Sequence, residues 1–162
     1  MFLRDLTVLP LIIAACSPRR QQPASAPAPK DVGFRTSTNS ESSCVQRLIL
    51  PYIEQARSSY PQAKQRFVTG LPPGYRLELV TQLHDSLDHF EQVYIVVDSI
   101  VGSTVFGRIN DDIYAVQGYK RGMAHSFDEA ELYDWTITDP NGKQEGNVVG
   151  DFLASFHGKP PC

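Results

Sequence analysis

The sequence predicts an α+β fold: an antiparallel sheet of about five strands, an N-terminal helix packed on one face, and a short C-terminal helix. Three observations lead there. Val45, Leu48, Ile49, Tyr52, Ile53 and Ala56 recur at helical spacing before any strand signal. From Tyr75 onward, short apolar runs alternate with Gly, Pro and Asn-Asp turn clusters. A last apolar stripe, Val148, Val149, Phe152, Leu153 and Phe156, returns to the helical period. The chain has 162 residues, enough for one hydrophobic core without metal support.

The chain divides into three parts. Residues 1–15 read as a lipoprotein signal peptide: Arg4 is the positive start, and the apolar run after it is too short to span a bilayer. The run ends Ile13-Ala14-Ala15-Cys16, which resembles the bacterial lipobox and implies lipidation of Cys16. Each buried acyl methylene contributes roughly 0.8 kcal/mol, so several chains anchor stably. By resemblance to lipoprotein sorting, Ser17 implies the outer membrane. Residues 16–43 read as a lipidated disordered tether, with Pro18, Pro23, Pro27 and Pro29 and no apolar period. Residues 44–162 read as the single folded domain.

Within that domain, Pro51 predicts a kink in the first helix and Tyr60-Pro61 its end, with a further turn or two from Ala63 to Phe67 and Val68. Leu71-Pro72-Pro73-Gly74 stops it. Tyr75, Leu77, Leu79, Thr81 and Leu83 alternate with Arg76, Glu78, Val80 and Gln82, a half-buried strand with one wet face. Residues 91–100 are apolar on both faces and predict a central strand. Gly102-Ser103 turns into a third strand over 104–109, followed by Asn110-Asp111-Asp112 and Gly118 to Gly122 as loops. Residues 123–127 and 134–138 complete the strands. Asp139-Pro140-Asn141-Gly142 has hairpin chemistry. Asn147 is placed to cap the last helix, with Gly158 and Pro160 ending it.

Charge is uneven. Residues 17–43 carry a net of +2, whereas residues 44–162 carry ten basic and fifteen acidic side chains, a net of −5. An acidic domain lacks the basic footprint that nucleic acid requires and suits a basic protein partner. With Cys16 lipidated, Cys44 and Cys162 remain, and in an exported domain two spare cysteines imply a disulfide.

Few residues suggest chemistry. His84, Asp85, Asp88 and His89 form the densest titratable group, but their spacing suits a solvated turn better than a metal set or a general base. Asp139, Asn141 and Glu145 lack the ligand series of a calcium loop. His125 reads as a strand histidine, and His157 suits a helix C-terminus. No catalytic residue, metal or cofactor is assigned. The run Asp128-Glu129-Ala130-Glu131-Leu132-Tyr133-Asp134 reads as an acidic, aromatic-bearing patch for a basic cleft on another protein, and Asp128, Glu129, Glu131, Tyr133, Asp111 and Asp112 are the candidate contacts.

Glu91-x-x-Tyr94, Gly107-x-x-Asn110 and Asp134-Trp135 with the following Gly142 occur in that order, behind Ala56-Arg57 and Phe67 in the leading helix. This set resembles the YegJ-like bacterial family of domains of unknown function. Gln92, Tyr94 and Met123 depart from its histidine, tryptophan and aspartate. The resemblance implies a small α+β fold and no established catalysis. The whole architecture is also similar to that of periplasmic immunity lipoproteins, which implies an outer-membrane lipoprotein that binds a toxic effector. An envelope hydrolase using the 84–89 loop, or a structural accessory lipoprotein, is the alternative.

Overall fold

The computed structural model describes residues 39–156, with side chains from Cys44 onward. The signal segment, Cys16, the tether up to residue 38, His157, Gly158, Pro160 and Cys162 lie outside the described residues. The order is α1 (Asn39–Thr69), β1 (Arg76–His84), β2 (Phe90–Val101), β3 (Thr104–Ile109), β4 (Ala124–Asp128), a single 3-10 turn (Glu129–Glu131), β5 (Asp134–Thr138), β6 (Gln144–Gly146) and α2 (Val148–Ala154). The strands form one antiparallel sheet in the order β4-β3-β2-β1-β5-β6. The fold is therefore α+β as expected, with six strands rather than five. The added strand is the second arm of the 139–142 hairpin, where Asp139 N donates to Lys143 O.

α1 begins five residues ahead of the expected domain start and runs straight through Tyr60-Pro61. Both Pro51 and Pro61 sit on its exposed side. There, water can satisfy the carbonyls of Arg47 and Arg57, which lose their helical donors. Burial of the opposite face holds the helix together: Ala56, Tyr60 and Ala63 pack on Leu77, Leu79, Ile95, Trp135 and Ile137. Trp135 fixes the docking by donating Nε1–H to Ala56 O (3.1 Å) and Ser59 Oγ (3.0 Å). Its indole thus packs in the core with its polar atom satisfied. The N-terminal half of α1 forms a second, smaller core, in which Val45, Ile49 and Ile53 meet Val149, with Tyr52 stacked on Phe152 at 3.8 Å. α2 thus packs on α1 and beside β5.

β1 departs from the expected wet-faced strand. Five consecutive residues, Leu77 to Thr81, are buried. Glu78 is fully covered, because its carboxylate accepts from Asn110 Nδ2 (2.8 Å) and Thr138 Oγ1 (2.9 Å) and pairs with Arg76 Nε (2.9 Å). A buried carboxylate held this way is tolerated because each oxygen has a donor. Alternation in the sequence could not distinguish such a partnered glutamate from a solvated one. β2 is one of the two central strands but alternates in burial, so its apolar Tyr94 and Val96 lie half-covered on the face away from α1.

Candidate partner-binding surface

One end of the sheet is built from two loops. The first is the β1–β2 turn, residues 85–89; the second is the β3–β4 connection, residues 110–123. Two carboxylates fasten both. Asp85 Oδ1 accepts from Leu87 N (2.8 Å) and His89 N (3.1 Å), and its Oδ2 accepts from Gln117 N (3.2 Å) beside His89 Nδ1 (3.1 Å). Glu91 Oε2 accepts from Ala115 N (2.7 Å), Tyr114 N (3.0 Å) and Val116 N (3.4 Å). Tyr119 OH donates to His84 O (3.3 Å), and Val116 is buried in the main core with Ile113 and Tyr119 against it. Burial pushes the Asp85 carboxyl up, but the N–H donors of Leu87, Gln117 and His89 and the His89 ring outweigh that and hold it at about 2.

This fastened end displays two large apolar side chains, Leu87 (61% exposed) and Tyr114 (58% exposed), with Asp88 and Asp112 at the surface beside them in the same loops. His84 and His89 are exposed as well. Asp85 is engaged by backbone donors, so the 84–89 group is a tied turn. Among the described residues no three His, Cys, Asp or Glu side chains converge as a metal set.

The six candidate contact residues lie at two ends of β3. Asp111 and Asp112 follow β3, whereas Asp128 faces Thr104 at its other end; six strand residues span about 20 Å. Asp111 is buried, and its carboxylate accepts from Tyr94 N. Asp112 is exposed near Arg121 (3.4 Å). Asp128 accepts from Ser103 Oγ (2.6 Å) and Ala130 N (2.9 Å), and these bonds lower its carboxyl despite some burial. Glu129 accepts from Tyr60 OH (2.7 Å) and pairs with Lys64 (2.8 Å), and Glu131 returns a bond to Asp128 N (3.3 Å) as the second half of a capping box. Tyr133 is half-buried, packs beside the second core and donates to Gln82 Oε1 (3.3 Å). The run 128–133 is chiefly a cap and brace, with Asp128 and Glu131 still outward. Leu87, an isolated apolar residue in a polar turn, and Tyr114 were the signals that could have pointed to the other end.

The motif residues behind the YegJ-like resemblance also have structural duties. Glu91 ties the 110–123 loop and Asn110 satisfies Glu78. Tyr94 OH donates to Asn147 Oδ1 (2.9 Å). Gly107 admits no side chain, because a Cβ there would overlap the Val96 carbonyl oxygen and Ile95. Asp134 caps α2 through Val148 N (3.2 Å), Val149 N (2.7 Å) and Gly150 N (3.3 Å). Asn147, the expected cap, lies in the left-handed region at φ 59° and its side chain makes no capping bond. No family model matches the chain, and no curated protein or solved structure matches it. The resemblance therefore rests on those short motifs.

Proposed function

We propose that this protein is a lipid-anchored binding protein of the bacterial periplasm, an immunity protein that neutralises a toxic antibacterial effector by direct contact. The lipobox ending at Cys16 and the proline-rich tether support the location. The observation that carries the binding reading is the fastened sheet end with Leu87 and Tyr114 exposed. Apolar and aromatic side chains on loops already held in place lose little freedom on binding, and such residues anchor interfaces. The net charge of −5 over residues 44–162 favours encounter with a basic effector.

The test is survival of cells challenged by competitors that deliver periplasmic effectors. Cells with the full chain should survive, and cells with the Leu87→Asp/Tyr114→Ala chain should not. The purified pair of chains should show the same contrast in binding the effector. Unchanged survival after deleting residues 44–162, or full protection by the double variant, rejects the reading. His84→Ala/His89→Ala should protect fully; loss of protection there would favour the envelope hydrolase.

A further inference from the structure

β4 is the last strand on its side of the sheet, and its hydrogen-bond phase decides which peptide groups are left over. Ile109 N donates to Met123 O (3.0 Å), and Glu129 N donates to Ser103 O (2.8 Å), in the same register that pairs Gly107 with His125 and Val105 with Phe127. Bonded pairs recur every second residue in an antiparallel ladder. Residues 123, 125, 127 and 129 thus bond to β3, and Ala124, Ser126 and Asp128 direct their N–H and C=O groups outward. The Asp128 N–H is met by Glu131. The peptide groups of Ala124 and Ser126 have no partner among the described residues. Both side chains are small and exposed. β4 carries no proline, and the sheet's register shift falls between β2 and β3; its one charged residue, Asp128, stands at its end, which leaves Ala124 and Ser126 uncovered.

Charge along this edge is polarised. Lys120 and Arg121 precede the strand, while Asp128 and Glu131 stand exposed at its far end with Glu129 between them. We propose that β4 pairs antiparallel with β4 of a second copy of this chain, about a two-fold axis at His125, joining two six-stranded sheets into one. In that register Ala124 faces Ser126 of the second copy, and each such pair exchanges two hydrogen bonds. The basic turn before the strand, with Lys120 and with Arg121 near its own Asp112, comes beside the acidic end of β4 of the second copy, where Asp128 and Glu131 are exposed and Glu129 is held by Lys64, and the two-fold axis repeats the match. A parallel arrangement sets like charges side by side. Antiparallel self-pairing therefore satisfies the open donors and acceptors and matches charge at both ends, as an isologous interface must.

The full chain should self-associate in sedimentation across a dilution series. The amides of Ala124 and Ser126 should gain protection from hydrogen exchange as concentration rises. Ser126→Pro deletes an outward donor that β3 does not use, and should abolish association while leaving the circular dichroism spectrum intact. Arg121→Glu, which loses only a solvent-exposed ion pair with Asp112 within the chain, should weaken association by about tenfold, and added salt should weaken the native chain in the same direction. A chain that stays monomeric with both amides unprotected overturns the proposal. So does association that Arg121→Glu leaves unchanged, or protection of Ala124 and Ser126 that arises only when a different protein is added. None of these variants touches Leu87 or Tyr114, so effector binding is scored separately.

Discussion

Asp134 and Asp85 both sit among backbone donors, yet they titrate in opposite directions. Burial dominates at Asp134 and lifts its carboxyl to about 6 from 3.8, against the N–H groups of Trp135, Val149, Gly150 and Val148. The folded chain therefore takes up this proton before the unfolded chain does. Stability from this group rises as pH falls from about 6 to about 4, by up to about 3 kcal/mol. His125 acts the other way: burial, opposed by the charge of Glu131, holds its imidazole below 6.5, so the unfolded chain is protonated first and stability falls below that pH. At Asp85 the lowered carboxyl stabilises the fold above about 4, and that contribution is lost as pH falls towards about 2. We expect Asp134→Asn to remove the acid-side gain. Its urea midpoint should drop more steeply than the native chain's between pH 6 and pH 4, and equal slopes would show that Asp134 is ionised throughout. Asp134→Ala, which leaves the Val149 N–H buried without an acceptor, should cost about 1–3 kcal/mol at neutral pH in the same measurement.

Among the elements, α1 shows what a local rule misses. Proline inside a helix costs about 3 kcal/mol in a donor lost and a ring clash, and Pro61 accordingly predicted an end. The helix continues because Tyr60 and Ala63, on either side of Pro61, are both buried against the sheet, a fact of tertiary packing that no local pattern contains. Pro61→Ala should restore the bond to the Arg57 carbonyl at an exposed position. It should raise stability by about 1–2 kcal/mol, after the entropy that proline removes from the unfolded chain is subtracted. An unchanged or lowered urea midpoint would mean the helix is shaped around the proline. The strands were legible from short apolar runs bounded by turn residues: residues 104–109 and 134–138 match β3 and β5 residue for residue, although β3 alternates in burial and β5 is buried throughout. The candidate surface was not legible, since Asp85 and Glu91 hold residues 23 to 32 positions away, and nothing in their neighbourhood encodes that reach. Glu91→Ala tests the second tie: exchange at the Tyr114 and Ala115 amides should speed by tenfold or more, consistent with losing ~1.5–3 kcal/mol of charge-assisted bonding, while β1 amides stay protected. Equal exchange at both sites would mean that Val116 packing alone holds the loop.

At the scale of the molecule, the two cores are unequal. The main one spans the sheet and the C-terminal half of α1, while the second consists of little more than Val45, Ile49, Ile53 and Val149 with their aromatic neighbours. So small a cluster is the part expected to open first. Cys44 lies at its edge; no cysteine pair lies wholly among the described residues, and the proposed partner Cys162 is outside them. A Cys44–Cys162 bond closes a loop of well over a hundred residues, for which chain entropy gives about 4–5 kcal/mol, with lower values common in practice. Its position suggests where that stabilisation acts, since it would fasten the chain beyond α2 to the start of the helix on which α2 packs. Cys162→Ser should therefore lower the urea midpoint by the equivalent of about 2–4 kcal/mol, and faster exchange should concentrate in α2 and the first turns of α1 rather than in β1. Peptide mapping without reductant gives the decisive contrast: a fragment joining Cys44 to Cys162 is expected. A fragment joining Cys44 to Cys16 would overturn the pairing and the acyl anchor together, because a cysteine in a disulfide has no free sulfur to lipidate.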